Sequence, residues 1–182
     1  MATINQQPIP KPFIEIFEKA GIAVKQFDSV ESFEEDLMEF LNRNNVLHLS
    51  TCKDDTARAT PLEYRMDGMT FCILSAGGVK FDYIKNNNTV SFSIAEPYDS
   101  EGDFWSYKGL QAWGTAEVIS KKENPDEFNE LIDKMGIMKV IKQLGITELR
   151  PEMNYRIIKI TPDRIKYNNP RAGVFRVSWE RE

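Results

Sequence analysis

The sequence predicts a mainly β (α+β) fold: six to eight short antiparallel strands curled into a small barrel, with flanking helices. Three observations carry this. From residue 46 to residue 120, apolar and polar residues keep alternating with a period of two, in short runs separated by turn residues. Asp67-Gly68 is the strongest two-residue hairpin signal in the chain. Gly109 and Gly114 lie inside the long run 107–120, where glycine marks the bends or close backbone approach of a sheet that curls.

Residues 1–12 hold three prolines and read as an extended arm. Residues 13–20 place Phe13, Ile14, Ile16, Phe17 and Ala20 at helical spacing, and Gly21 closes that short helix. Residues 22–27 read as a short strand or a connector. Ser29 or Ser32 caps the next helix, with Glu35 completing a capping box on Ser32. That helix runs to about Asn42, with Phe33, Leu37, Met38, Phe40 and Leu41 on its apolar side. This divides the chain into an N-terminal arm with a short helix, residues 1–32, and a domain of residues 33–182.

The β region follows. Residues 46–52 form the first strand and Lys53-Asp54-Asp55-Thr56 its turn. Residues 57–66 form the second strand, with an edge or irregularity at Pro61, because proline cannot donate to a ladder. Residues 69–95 then read as strand, small-residue turn, short helix and strand. The run 69–74 is β-branched, aromatic and apolar, and Ser75-Ala76-Gly77-Gly78 has almost no side-chain bulk. In the helix, Val79 and Tyr83, with Phe81 and Ile84, are placed for burial, while Lys80 and Lys85 point elsewhere. Asn86-Asn87-Asn88 ends it. A glycine turn feeding a helix that starts with lysine suits an anion. Beyond the loop 96–105 and the long strand, residues 127–144 carry a broad apolar stripe broken at Gly136, after Asn124-Pro125-Asp126 as cap and first turn. Residues 154–160 and 163–167 read as two strands across Thr161-Pro162, and residues 173–179 as the last.

Composition excludes much. The net charge of −5 gives no reason to expect nucleic acid as a partner. No apolar run approaches the roughly 20 residues that a membrane span needs, and the N-terminus lacks the pattern of a secretory signal. Cys52 and Cys72 read as buried free thiols of a reducing cytoplasm. His48 alone cannot build a multi-histidine metal site, and its place on an alternating strand is that of a structural or surface residue. Gly77-Gly78-Val79-Lys80-Phe81 is not a Walker loop, and GxGxxG, HExxH, CxxC and GxSxG are all missing. The abundant carboxylates fall on helices and in Glu101-Gly102-Asp103, as a solvated face does.

One ordered set of segments carries a resemblance. It comprises LHLSTC (47–52), ARATPLEYRMDG (57–68), Lys80 followed by FDYIKNNNTVSF (81–92), and GTAEV (114–118). Together they resemble the FMN-binding split barrel of the pyridoxamine 5′-phosphate oxidase-like superfamily over residues 33–167. The resemblance implies a split barrel and FMN as cofactor, with Lys80 on the FMN phosphate. It implies Arg58 or Thr60 near the phosphate and ribityl chain, and the backbone of Pro61, Leu62, Ile73, Leu74 and Ser75 along the flavin. Gln111 or Trp113 would reach the flavin, often across a homodimer interface in this family. Asn88 stands where the family usually has proline. Gly78 and Val79 stand where it often has serine and arginine, which leaves Lys80 to hold the phosphate largely alone. The activity implied is that of a cytoplasmic FMN-dependent oxidoreductase on a small molecule, possible electron donor NADH or NADPH. The alternatives are a non-catalytic flavin or haem carrier or sensor on the same barrel, and a barrel with no cofactor that acts as an interaction module. Tyr107, His48 and Glu63 are the acid–base candidates, with none compelling. Arg171 and Trp179 read either as ligand contacts or as a surface arginine and a barrel plug.

Overall fold

The computed structural model describes residues 1–182. Nine strands form one antiparallel sheet, with five helices beside them. In chain order these are β1 (Ala2–Gln6), α1 (Lys11–Lys19), α2 (Val30–Arg43), β2 (Val46–Lys53), β3 (Thr56–Glu63), β4 (Arg65–Asp67), β5 (Thr70–Ser75), α3 (Lys80–Asn86) and β6 (Thr89–Ala95). Then come β7 (Gly109–Ser120), α4 (Pro125–Lys134), α5 (Ile137–Gln143), β8 (Arg156–Asn169) and β9 (Val174–Arg181). The strand order is β1-β9-β8-β7-β6-β2-β3, and off this path β5 pairs with β4 and β8. The fold is the mainly β split barrel with flanking helices that the sequence predicts.

The chain divides into two compact units. One comprises Met1–Asn45, Ser91–Trp113 and Asp163–Glu182; the other comprises Val46–Val90 and Gly114–Pro162.

In the first unit the N-terminal arm is extended, but it is also a strand: Ala2 to Gln6 pair antiparallel with Arg181 to Val177. Residues 22–27 are a connector. Helix α2 is capped by Ser29, and Ser32, not Glu35, closes the box. The Ser32 amide donates to Ser29 Oγ at 3.2 Å, and the Ser29 amide donates to Ser32 Oγ. Once Ser29 is the cap, Ser32 falls at the third helical position, and its hydroxyl accepts as a glutamate would. Phe33, Leu37, Phe40 and Leu41 of this helix are buried. The Tyr167 ring packs against Phe40, tilted by 42° with the ring centres 5.3 Å apart. Trp179 is buried and its indole N–H donates to Glu34 at 2.7 Å, so it is the plug rather than a ligand contact. At Gly173, φ is 75°, and a Cβ would lie 1.9 Å from the Ala23 carbonyl oxygen, so no other residue fits.

In the second unit, β2 and β3 form a hairpin through Asp54 and Asp55, both at positive φ. Pro61 sits on β3, which ends the strand path, so its missing N–H breaks no ladder. Two expectations change here. The strand foreseen over 57–66 is interrupted at Tyr64, which turns its ring into the core, 5.3 Å from Phe71. The two strands foreseen across Thr161-Pro162 are one continuous β8. Gly114 explains the continuity: a Cβ there would lie 2.2 Å from Thr161 O and 2.7 Å from Pro162 Cα. Without a side chain at 114, the proline segment packs straight against β7. Cys72, Ile119, Phe128, Leu131, Ile132 and Ile157 form a core cluster. The helical stripe breaks at Gly136, as foreseen, with φ 64°.

Candidate anion site at the glycine turn

The second unit gathers three cations around the turn 75–80. Strand β5 delivers the turn. Ser75, its last residue, pairs with Arg156, the first residue of β8. Arg58 lies on β3 opposite Thr51 of β2, on the sheet face that carries Thr60 and Leu62. Lys80 opens α3, a seven-residue helix whose cap, Val79, makes no side-chain hydrogen bond.

Lys80 does not point elsewhere, as its sequence position suggests. It is buried, with 7% of its surface exposed, while Val79 is 51% exposed. The residues meant to shield the helix are thus partly exchanged: Lys80, Phe81 and Ile84 go in, and Val79 goes out. The short helix allows this because Gly78, at φ 107°, turns the chain so that the lysine stem folds back over the turn. Lys80 Nζ donates to the Gly77 carbonyl at 2.5 Å and sits 5.0 Å from the centre of the Phe81 ring. A Cβ at Gly78 would stand 3.0 Å from that nitrogen, so the missing side chain leaves room for the ammonium.

The electrostatics are one-sided. Burial lowers the Lys80 pKa below the ordinary lysine value, and the positive charges of Arg156 and Arg58 lower it further. The acid nearest in sequence, Asp82, is bound to Lys53 at 2.5 Å. None of the ion pairs in the structure engages Lys80, Arg58 or Arg156. The Arg156 guanidinium lies 3.6 Å from the centre of the Phe81 ring, and its buried Nε has no hydrogen-bond partner. Thr51 Oγ1 is likewise buried and unpartnered, opposite Arg58. Buried donors are almost always satisfied, so these orphaned groups and cations without a carboxylate form a set that an anion can satisfy.

Of the residues singled out in the sequence, Arg58, Thr60, Pro61, Leu62, Ile73, Leu74, Ser75 and Lys80 all belong to this unit. Ile73 and Leu74 pair with Ile158 and Ile157, so their backbones are committed to the sheet and Ile73 is fully buried. Gln111 and Trp113 belong to the first unit, where both are exposed on β7. Lys166 Nζ stands over the Trp113 ring at 5.6 Å. Arg171 is taken by Asp103, which accepts from its Nε at 2.7 Å and from a terminal nitrogen. The acid–base candidates stay apart from the cations. His48 is exposed opposite Pro61, Glu63 pairs with Arg65 at 2.6 Å, and Tyr107 lies in the first unit beside Tyr98. The residue that sequence reasoning missed is Arg156. Nothing in its neighbourhood in the chain marks it; only the pairing of β8 with β5 brings it to the turn.

No helix is long and apolar enough to cross a membrane. No curated protein matches the chain. Among solved structures, it is similar to a Listeria innocua protein named after pyridoxamine 5′-phosphate oxidase, at 22% identity and TM-score 0.57, covering 75% of this chain and 98% of that one. It is similar to an FAD-binding protein from Mesorhizobium loti, at 15% identity and TM-score 0.54, covering 80% and 91%. It is similar also to the heme storage protein HutZ of Vibrio cholerae, at 15% identity and TM-score 0.55, covering 71% and 89%. These likenesses are of fold. The sequence model of the family described as pyridoxamine 5′-phosphate oxidase matches residues 33–169, and the chain belongs to that family.

Proposed function

We propose that this protein binds a flavin through its FMN unit, with the phosphate at the glycine turn, and that it is a flavin-dependent oxidoreductase acting on a small molecule. The observation that carries the reading is the set of Lys80, Arg58 and Arg156, close enough to depress the Lys80 pKa and without a carboxylate partner. The residues fit the group. A phosphate supplies the acceptor that the orphaned Arg156 Nε lacks and a negative charge for the ammonium, whose one acceptor is the neutral Gly77 carbonyl. Lys80 would exchange the Gly77 carbonyl for a phosphate oxygen, and Arg58 and Thr60 would meet the same group or the ribityl chain. Pro61, Leu62 and Ser75 are proposed to line the flavin from β3 and β5, with Ile73 and Leu74, paired to β8, as the sheet behind it. Gln111 and Trp113, exposed on β7, are proposed to reach a flavin held by a second copy of the chain in a homodimer. A bound flavin supplies hydride chemistry; the chain orients it and sets its surroundings. NADH or NADPH is the proposed electron donor.

A second reading, a haem carrier on the same barrel, is supported by the names of some structural neighbours. The only histidine, His48, lies exposed on β2 and is the one imidazole the chain offers as an axial ligand. Titration of the purified protein with FMN and with haem separates the two. Flavin fluorescence quenched on binding supports the first, and a Soret band shifted by the protein supports the second. Lys80→Ala is expected to weaken FMN binding by about 1–3 kcal/mol, the scale of a charge-assisted hydrogen bond lost from a phosphate. An unchanged dissociation constant removes Lys80 from the site.

A further inference from the structure

The first unit holds a cluster of aromatic rings that the flavin reading leaves unused. Helix α1 brings Phe13 and Phe17, the short helical turn Phe104–Ser106 brings Trp105, and β9 brings Phe175. Phe17 and Phe175 stack with ring centres 4.0 Å apart, and Trp105 stands edge-on to Phe17 at 5.0 Å. Phe13 is tilted against Phe17 at 6.5 Å and is 53% exposed. Together with Tyr107 and Arg176 these rings line a cavity of about 330 Å³. A cavity of that size and lining takes a small organic ligand. Its walls favour a flat ring, which packs edge-to-face or offset against aromatic neighbours.

Arg176 is the one charged residue in that lining, and no carboxylate joins it there. It is exposed and enters none of the ion pairs of the structure. Its backbone is unusual for such a side chain: φ is 52°, in the left-handed region, within strand β9. Glycine occupies that region freely, whereas a residue with a long side chain does so under strain. Two hydrogen bonds hold it in place. Its amide donates to Asn168 Oδ1 at 3.3 Å, and its carbonyl accepts from the Gln7 amide at 3.2 Å. An exposed, unpaired arginine at a strained position contributes little to the fold, and strain of this kind gathers at ligand sites. Tyr107 adds a hydroxyl to the same lining. Burial first, and Tyr98 second, hold its phenol above the ordinary pKa, so it remains a donor. From these observations we infer that the first unit carries a binding site for a small aromatic carboxylate. The ring packs among Phe13, Phe17, Trp105 and Phe175. The carboxylate meets the Arg176 guanidinium, whose planar fork matches two oxygens, with the Tyr107 hydroxyl as a further donor. The inference does not rest on the flavin reading, because every residue it uses belongs to the unit that lacks Lys80.

The test titrates the full chain with 3-phenylpropionate and with its uncharged isostere 3-phenylpropanamide, and follows the indole N–H resonances by NMR. The chain has three tryptophans, and Trp105→Phe identifies the Trp105 signal. The acid is expected to shift that signal, to leave those of Trp113 and Trp179 in place, and to bind about tenfold more tightly than the amide, the scale of a hydrogen bond to a charged group. Arg176→Gln is expected to remove the advantage of the acid and to leave the affinity for the amide near that of wild type. Phe13→Ser, at an exposed position, weakens acid and amide alike and keeps their ratio. Arg176→Gly is expected to raise the thermal midpoint, because glycine relieves the strained φ, while it loses the same advantage for the acid. Four results overturn the inference: no shift of the Trp105 signal, equal affinity for acid and amide in the wild type, an advantage that survives Arg176→Gln, or a midpoint that falls in Arg176→Gly. None of them bears on FMN binding at Lys80, which is read separately.

Discussion

Two arginine-bearing regions treat their charge in opposite ways. In the first unit, Arg171 and Asp103 form a two-point ion pair, which lowers the Asp103 carboxyl pKa and raises that of the guanidinium. Asp103 also accepts from the Trp105 amide at 3.0 Å. The pair ties the short helical turn Phe104–Ser106 to the turn Pro170–Ala172, and every charge on it is answered. At the glycine turn of the second unit no carboxylate answers the charge. Lys80 is buried, Arg156 leaves Nε unpaired, and the Arg156 charge lowers the Lys80 pKa. A cation placed for folding comes with its partner. A buried cation without one costs stability in the free protein, and such an arrangement makes sense when the missing partner is a ligand.

The largest effects should come from breaking the unanswered side. Lys80→Met keeps the apolar stem and removes the charge. It is expected to weaken phosphate-bearing flavins by about 1–3 kcal/mol and, in the flavin-free protein, to raise the thermal midpoint. A melting curve with and without FMN reads both. A midpoint that falls in the free protein would mean that the ammonium stabilises the turn through Gly77, not that it waits for an anion. Next is Gly78→Ala. Its φ of 107° is one that alanine adopts only under strain, and the new Cβ would stand 3.0 Å from Lys80 Nζ. A loss of about 1–3 kcal/mol in stability is expected from the backbone, read from urea unfolding, together with weaker flavin binding. Gly77→Ala, with open space around it and no positive φ, is the control.

How much of this contrast was legible in the sequence follows from what each residue depends on. The barrel was readable because period-two runs, Asp67-Gly68 and the glycines of β7 act locally. The break at Gly136 was readable for the same reason. Lys80 was readable as a candidate because the glycines precede it directly. Its burial was not, because that depends on the φ of Gly78 and on the Phe81 ring beneath it. Arg156 was illegible: it is remote from the turn in sequence and reaches it through the register of β5 against β8. The continuity of β8 through Pro162 was missed because it depends on the absence of a side chain at Gly114, on another strand. Arg171 was left open as a ligand contact because nothing near it in the chain announces Asp103.

A smaller effect should appear as a pH dependence. The Lys80 pKa is lowered in the folded protein relative to its ordinary value of 10.5. The unfolded chain therefore holds that proton more tightly, and stability must rise with pH between the depressed value and 10.5. Below that window the full cost of the buried charge is present; above it, the cost is gone. A bound phosphate opposes the depression, so binding takes up a proton within the window and affinity falls as pH rises. Urea midpoints and FMN dissociation constants measured from neutral pH up to the ordinary lysine value of 10.5 should show both slopes in wild type. The difference from Lys80→Met isolates them from other groups that contribute there, such as Cys72, whose thiol is pushed by burial from its ordinary 9.0 up to about 11 in the folded protein. Parallel curves for the two proteins would contradict the assignment.

The smallest effect belongs to the answered side. Arg171→Ala removes one partner of an exposed pair and keeps the Asp103 acceptor for the Trp105 amide. Exposed pairs contribute little, because solvent screens them and long side chains lose freedom in making them. The thermal midpoint should therefore fall only slightly, and flavin affinity should stay at the wild-type value. The pH dependence gives the sign. Asp103 has a lowered pKa in the folded state, chiefly through Arg171, so the stability it contributes is present above the ordinary aspartate range and is lost as pH falls through the depressed value. The gap between wild type and Arg171→Ala should thus close in acid, whereas the gap for Lys80→Met closes in base. Opposite ends of the pH scale would then distinguish an arginine that already has its anion from a lysine that still needs one.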